Sequence, residues 1–125
     1  MLNTNYTNER IQIISDAKIQ EFLKLFIICE YLFKTLVRIS DSKIKEVKIH
    51  MHVVNKVFDH YGFHRKDQLL RIYGGTGTNS YKTLRDKIVH HISRKSYQYI
   101  INNFIEITSD MNEFIYQFTS SASLK

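Results

Sequence analysis

The chain has no proline, no tryptophan, one cysteine and only four glycines in 125 residues. Each shortage excludes something. Without proline nothing forces a helix to stop or kink, so long uninterrupted helices are permitted. A single cysteine, Cys29, rules out an intrachain disulfide and a zinc site built on several thiolates. Cys29 lies in an apolar stretch, where its simplest use is as a small core hydrophobe, and one free thiol fits a reducing compartment. Long uncharged apolar runs are also missing. The most apolar stretch, residues 22–37, carries Lys24, Glu30 and Lys34. A bilayer-spanning helix rarely holds three charges in that length. The first ten residues are polar and lack the apolar core of a signal peptide. The expectation is a cytoplasmic protein with no membrane partner.

What remains is an ordinary globular balance, 43% hydrophobic and 24% charged. A chain of this length can bury about two-thirds of its unfolded surface. One domain over residues 1–125 is expected, with residues 119–125 a small, polar, frayed tail.

The net charge of +6 is unevenly placed. Residues 1–42 carry five basic and five acidic side chains. Residues 43–95 carry twelve basic and four acidic ones, and residues 96–125 one basic and three acidic. A basic centre between neutral and acidic flanks points to an anionic partner, with nucleic acid the commonest. A solubilising lysine-rich face gives the same composition.

Apolar spacing of three and four predicts helix nearly throughout. A first long helix is expected over residues 9–39, on Ile11, Ile14, Phe22, Leu25, Phe26, Cys29, Leu32, Phe33 and Leu36. Ser40, Asp41 and Ser42 break it and can cap a second helix on Ile44, Val47, Met51, Val54, Val57 and Phe58, ended by Gly62. A short helix is expected over residues 66–73, then a glycine-rich loop over 74–80. Asn79 or Ser80 can cap a third main helix over 81–93, with Leu84, Ile88 and Ile92 as its stripe. After a turn at residues 94–96, a last helix is expected over 96–118. A strand over 48–53 competes weakly with the second helix. The fold expected is all-α, a compact helical bundle of about four main helices plus a short one.

Three motifs invite chemistry. The loop around Gly74, Gly75 and Gly77 lacks the Lys-Ser/Thr pair that a phosphate loop places after its last glycine, so a surface loop is the simpler reading. His60 and His64 have helical spacing for two metal ligands, but Gly62 lies between them and no third ligand is evident. His50 and His52 would share a face only on a strand. No metal site is expected. The third motif is residues 84–91, where Arg85 precedes His90 and His91. It offers a permanent cation and a titratable acid/base, the two functions that phosphodiester cleavage uses. On a helix His90 lies about 140° round from Arg85, so the two can flank a groove, while His91 lies about 240° round. Asp86 can orient Arg85 or His90, or form only a local ion pair.

Arg85-Asp86, four further residues and then His90, on a helix after a flexible loop and before a long amphipathic helix, resemble the HEPN family (higher eukaryotes and prokaryotes nucleotide-binding domains). Its signature is Arg, four to six residues, then His, often with Asn, Asp or His directly after the Arg. The resemblance in fold covers most of the chain; the motif itself covers residues 84–91. It implies a metal-independent endoribonuclease without a cofactor, acting as a homodimer whose two motifs form one cleft. His90 would move a proton at the RNA 2′-hydroxyl or the leaving oxygen. Arg85 would hold the scissile phosphate, with Asp86 and His91 as supports and a 2′,3′-cyclic phosphate as product. Lys82, Lys87, Arg94 and Lys95 are near in sequence and would hold the RNA backbone. Tyr81 and Tyr97 can stack on bases or pack in the bundle. The resemblance also implies a toxin or phage-defence role, with an antitoxin or inhibitory partner. Other members are inactive and bind nucleotides or partners, so a non-catalytic nucleic-acid-binding or dimerisation module is the alternative. Where one branch of the family has a tyrosine two residues after the histidine, this chain has Ile92. Regulation by modifying that tyrosine is therefore not expected.

Overall fold

The computed structural model describes residues 4–40, 51–73 and 80–120. Within them the chain forms seven helices: α1 (Thr4–Ser15), α2 (Ala17–Ser40), α3 (Met51–Tyr61), α4 (Lys66–Tyr73), α5 (Tyr81–His91), α6 (Arg94–Asn102) and α7 (Phe104–Ser120). No strand occurs among the described residues. The architecture is an all-α bundle. α2 is its spine, lying most extensively against α7 and also touching α1, α3, α5 and α6.

The spacing of large apolar residues explains this arrangement. Phe22, Phe26, Cys29, Phe33 and Leu36 recur on one stripe of α2, and all five are fully buried. Around them gather rings from other helices. Phe33 lies 4.6 Å from Tyr73 and 6.3 Å from Phe58, centroid to centroid, and Phe58 lies 5.6 Å from Phe114. This aromatic cluster joins α2, α3, α4 and α7. Cys29 is part of the same interior, and burial pushes its thiol pKa up to about 12.

Two of the long helices expected from spacing are each broken in two. The first break falls at Asp16. Its Oδ1 accepts the backbone N–H groups of Lys18 at 2.8 Å and Ile19 at 3.4 Å, so it caps a fresh helix start. Its Oδ2 accepts the Tyr97 hydroxyl at 3.2 Å, tying that start to α6. Because the helix restarts, the stripe does not run through: Ile13 is buried, while Ile11 is 54% exposed. The second break is at Asn103, whose backbone N–H and side-chain amide both donate to the Tyr99 carbonyl. The turn expected at residues 94–96 lies two residues earlier. Ser93 caps α6 by accepting from the Ser96 N–H at 3.2 Å. Replacing Asp16 with alanine is expected to cost about 1 kcal/mol, as N-cap losses do. A urea unfolding midpoint unchanged from wild type would show that the break does not depend on the cap.

Elsewhere the expected elements stand close to where spacing puts them. α4 occupies the expected residues, and α5 starts after Ser80, whose hydroxyl accepts the Thr83 N–H at 3.2 Å. α3 ends at Gly62, which adopts φ +67°, a left-handed conformation open to glycine at little steric cost. Residues 51–53, weighed as the end of a strand, are helical. Of the tail expected at 119–125, residues 119 and 120 complete α7, where the Thr119 hydroxyl donates to the Ile115 carbonyl; residues 41–50, 74–79 of the glycine loop and 121–125 lie outside the described residues.

Candidate active site

α5 carries both Arg85 and His90, and its buried stripe sets its rotation. Tyr81, Leu84 and Ile88 face the interior. The helical register then places Arg85, Val89, Lys82, Asp86 and His90 along one outward arc, in that order round the axis. Lys87 and His91 fall on the other flank. α5 is therefore unbroken between Arg85 and His90, and both sit clear of its buried side.

The cationic end of this arc is ordered by contacts. The Arg85 side chain is about a third exposed, and its Nη1 donates to Asp86 Oδ1 at 2.8 Å. Its guanidinium carbon lies 5.8 Å from the centre of the Phe26 ring, within cation–π range. Lys82 Nζ donates to the other oxygen of Asp86 at 3.0 Å. Asp86 thus orients Arg85, one of the two roles open to it. Neither carboxylate oxygen bonds His90.

Partial burial disfavours the charged form of Asp86, but hydrogen bonds from Arg85 and Lys82 outweigh it and hold the carboxyl below its usual pKa. A depressed carboxylate contributes stability that is fully present above its unfolded pKa. That contribution is lost as pH falls through the lower, folded value. The pair is solvated, so the effect is small. Asp86→Asn is expected to flatten the acid limb of the thermal-midpoint profile and leave neutral pH nearly unchanged. An unaltered acid limb would show that the bridge contributes nothing to stability.

At the other end His90 is exposed, and so is His91. Ile92 ends the helix with φ +46°, a left-handed conformation that costs a β-branched residue strain. Its N–H bonds back to the Ile88 carbonyl, and the Ser93 N–H to that of Lys87. Arg10 of α1 donates through Nη1 to the His91 carbonyl, so α1 grips this end of α5. His91 is held by its backbone there, on the opposite flank from Arg85. The register does not bring it to Arg85 and His90.

The four basic residues expected to hold RNA do not form one patch. Lys82 meets Asp86 in a solvated pair, and Lys87 is on the opposite flank of α5. Arg94 pairs with Glu9 at 3.0 Å, and Lys95 is exposed at the start of α6. Tyr81 is not available for stacking. It is buried, and its hydroxyl donates to Asp110 at 2.6 Å. Burial and that hydrogen bond both push its pKa up. Tyr97 is partly exposed, with its hydroxyl on Asp16.

Two positioning features escaped the sequence reading. One is the Arg10 contact to His91. The other is a polar cluster at the base of α5, where buried Asp110 takes the Tyr81 hydroxyl and lies 3.7 Å from Arg71 Nε. Arg71 also bonds Glu106. These partners lie 29 to 81 positions apart in the chain, beyond any local spacing signal.

Among the described residues no three His, Cys, Asp or Glu side chains gather to hold a metal ion. His60 lies edge-on to Tyr61, and His64 sits in the turn beyond Gly62. No helix among the described residues is long and apolar enough to cross a membrane. Neither Arg85 nor His90 lines the two surface clefts of about 220 Å³: one is around Tyr61, Phe63 and Tyr116, the other around Tyr6, Arg10 and Ile92 beside the end of α5. Comparison with protein-family models, with curated proteins and with solved structures gave no match.

Proposed function

We propose that this chain is a metal-independent endoribonuclease of the HEPN type, acting as a homodimer in the cytoplasm. The observation that carries the reading is α5 itself, which presents an oriented arginine and an exposed histidine on one outward arc. His90 takes the proton from the RNA 2′-hydroxyl, and the 2′-oxygen attacks phosphorus. The bond from phosphorus to the 5′-oxygen breaks, and that oxygen leaves with a proton. The products are a 2′,3′-cyclic phosphate and a 5′-hydroxyl. Arg85 balances the charge that builds on the phosphate oxygens. Base and cation are thus both supplied by this chain.

The dimer supplies what one α5 lacks. A second copy would cover Val89, which is 46% exposed between the two residues, and would bring a second Arg85 and His90 to a common cleft. A toxin or phage-defence role, held in check by an antitoxin, follows from the same reading. The non-catalytic alternative rests on one observation. Arg85 already has a carboxylate partner in Asp86, an arrangement that also serves simple phosphate binding.

The test is cleavage of mixed RNA by the purified protein in EDTA, with the fragment ends identified by mass spectrometry. Cyclic-phosphate ends in wild type, absent from His90→Ala and Arg85→Lys, are expected. No cleavage by a folded dimer would transfer the reading to the binding module.

A further inference from the structure

We infer that the solvent face of α2 is a platform for single-stranded RNA, on which Tyr31 stacks a base while Lys24, Lys34 and Arg38 hold phosphates. The ligand class rests on the proposed function; the surface is a different one from the Arg85 and His90 arc. Lys24, Ile27, Tyr31, Lys34 and Arg38 are spaced by three and four residues and so share one stripe of α2, opposite its buried phenylalanines. The stripe spans about 21 Å along the helix.

Its composition is unlike that of a plain solubilising face. Ile27 is 62% exposed and Tyr31 is 68% exposed, so both leave most of their surface in water. The Tyr31 carbonyl accepts from the Thr35 hydroxyl, which leaves its ring unengaged by that contact. Lys24 lies before this apolar pair and Lys34 and Arg38 after it, and no carboxylate lies within the stripe. Glu21 and Glu30 border it on opposite sides by register. Lys34 meets Glu30 at 3.6 Å in an exposed pair, the kind that exchanges readily for another anion. Lys24 and Arg38 are exposed and make no ion pair among the described residues.

Aromatic rings set among backbone-binding cations are what sequence-tolerant single-strand binding uses, because every base offers a flat face. Tyr31 supplies that ring, and Ile27 one turn away extends the apolar landing beside it. The charge pattern favours a polyanion along the helix. An acidic protein segment would gain less from an isolated, upstanding tyrosine.

The experiment is fluorescence anisotropy of a labelled 12-nucleotide mixed-sequence RNA with the full chain. It is run in a His90→Ala background so that cleavage does not intervene. Tyr31→Ala is expected to weaken binding about 5- to 150-fold, and Tyr31→Phe to restore it. Lys24→Gln with Arg38→Gln should reduce the slope of log affinity against log salt by about 1.4. Circular dichroism checks that each variant is folded, and all the replaced side chains face solvent. The inference is overturned if the His90→Ala parent binds RNA and neither set of variants changes affinity or slope. It is also overturned if the parent binds no RNA, or if light scattering shows Tyr31→Ala splitting a dimer. Loss of binding in these variants with no cleavage by wild type would support the platform and sink the ribonuclease reading alone.

Discussion

His90→Ala is expected to slow RNA cleavage about 10²–10⁴-fold, the usual contribution of a positioned acid or base. The fold should not change. His90 is exposed, neither Asp86 oxygen reaches it, and exposed substitutions of this kind move stability little. Arg85 calls for a gentler replacement. Its guanidinium also lies over Phe26 and bonds Asp86, so alanine would remove packing along with charge. Arg85→Lys keeps the charge but loses the planar fork. Single-turnover rates with cyclic-phosphate detection separate chemistry from binding. A loss below tenfold in folded His90→Ala would remove His90 from proton transfer.

The second large effect is structural. Phe114→Ala is expected to cost about 3–5 kcal/mol, the range for deleting a buried phenylalanine. Phe114 is fully buried, with ring centres of Phe58 at 5.6 Å, Phe63 at 5.5 Å and Tyr73 at 6.5 Å. Those neighbours are themselves rings held by several partners, so the space can close only in part. Against a total stability of about 5–15 kcal/mol, such a loss is large. Urea unfolding followed by circular dichroism measures it. A cost under about 1 kcal/mol would mean that α3, α4 and α7 do not meet tightly at that ring.

Much of this fold was legible in spacing. Leu69 and Ile72 mark α4, and Leu84 and Ile88 with Ser80 in front mark α5, because capping and period agree there. The two breaks were not legible. Apolar residues continue at helical spacing on both sides of Asp16, and an aspartate inside such a run reads as a solvent-facing residue. Its function as a cap shows only in the structure, where its carboxylate accepts the Lys18 and Ile19 N–H groups and ties to Tyr97, 81 positions later. Asn103 has the same ambiguity between Ile101 and Phe104. For the site, the adjacency of Arg85 and Asp86 could be read directly, and the structure bonds them. The helical spacing also set His91 apart from His90, and the buried Leu84 and Ile88 agree with that register. Ile27 and Tyr31 stand outside the stripe that spacing marks on this helix, and both are exposed.

The grip of Arg10 on the end of α5 has a consequence for how the molecule opens. α1 contributes one buried side chain, Ile13, with Ile14 packed partly against the core, and is otherwise tied to the body by polar contacts such as Arg10 to the His91 carbonyl and Glu9 to Arg94. It is therefore the cheapest unit to detach in a partial unfolding event. When it detaches, the His91 carbonyl loses its guanidinium donor, and Arg94 loses Glu9 in the same step. The strained left-handed turn at Ile92 then has one restraint fewer, at the point where the chain passes from α5 to α6. Motion at the amino-terminal end is in this way transmitted to a position two residues from His90, without any disturbance of the aromatic interior.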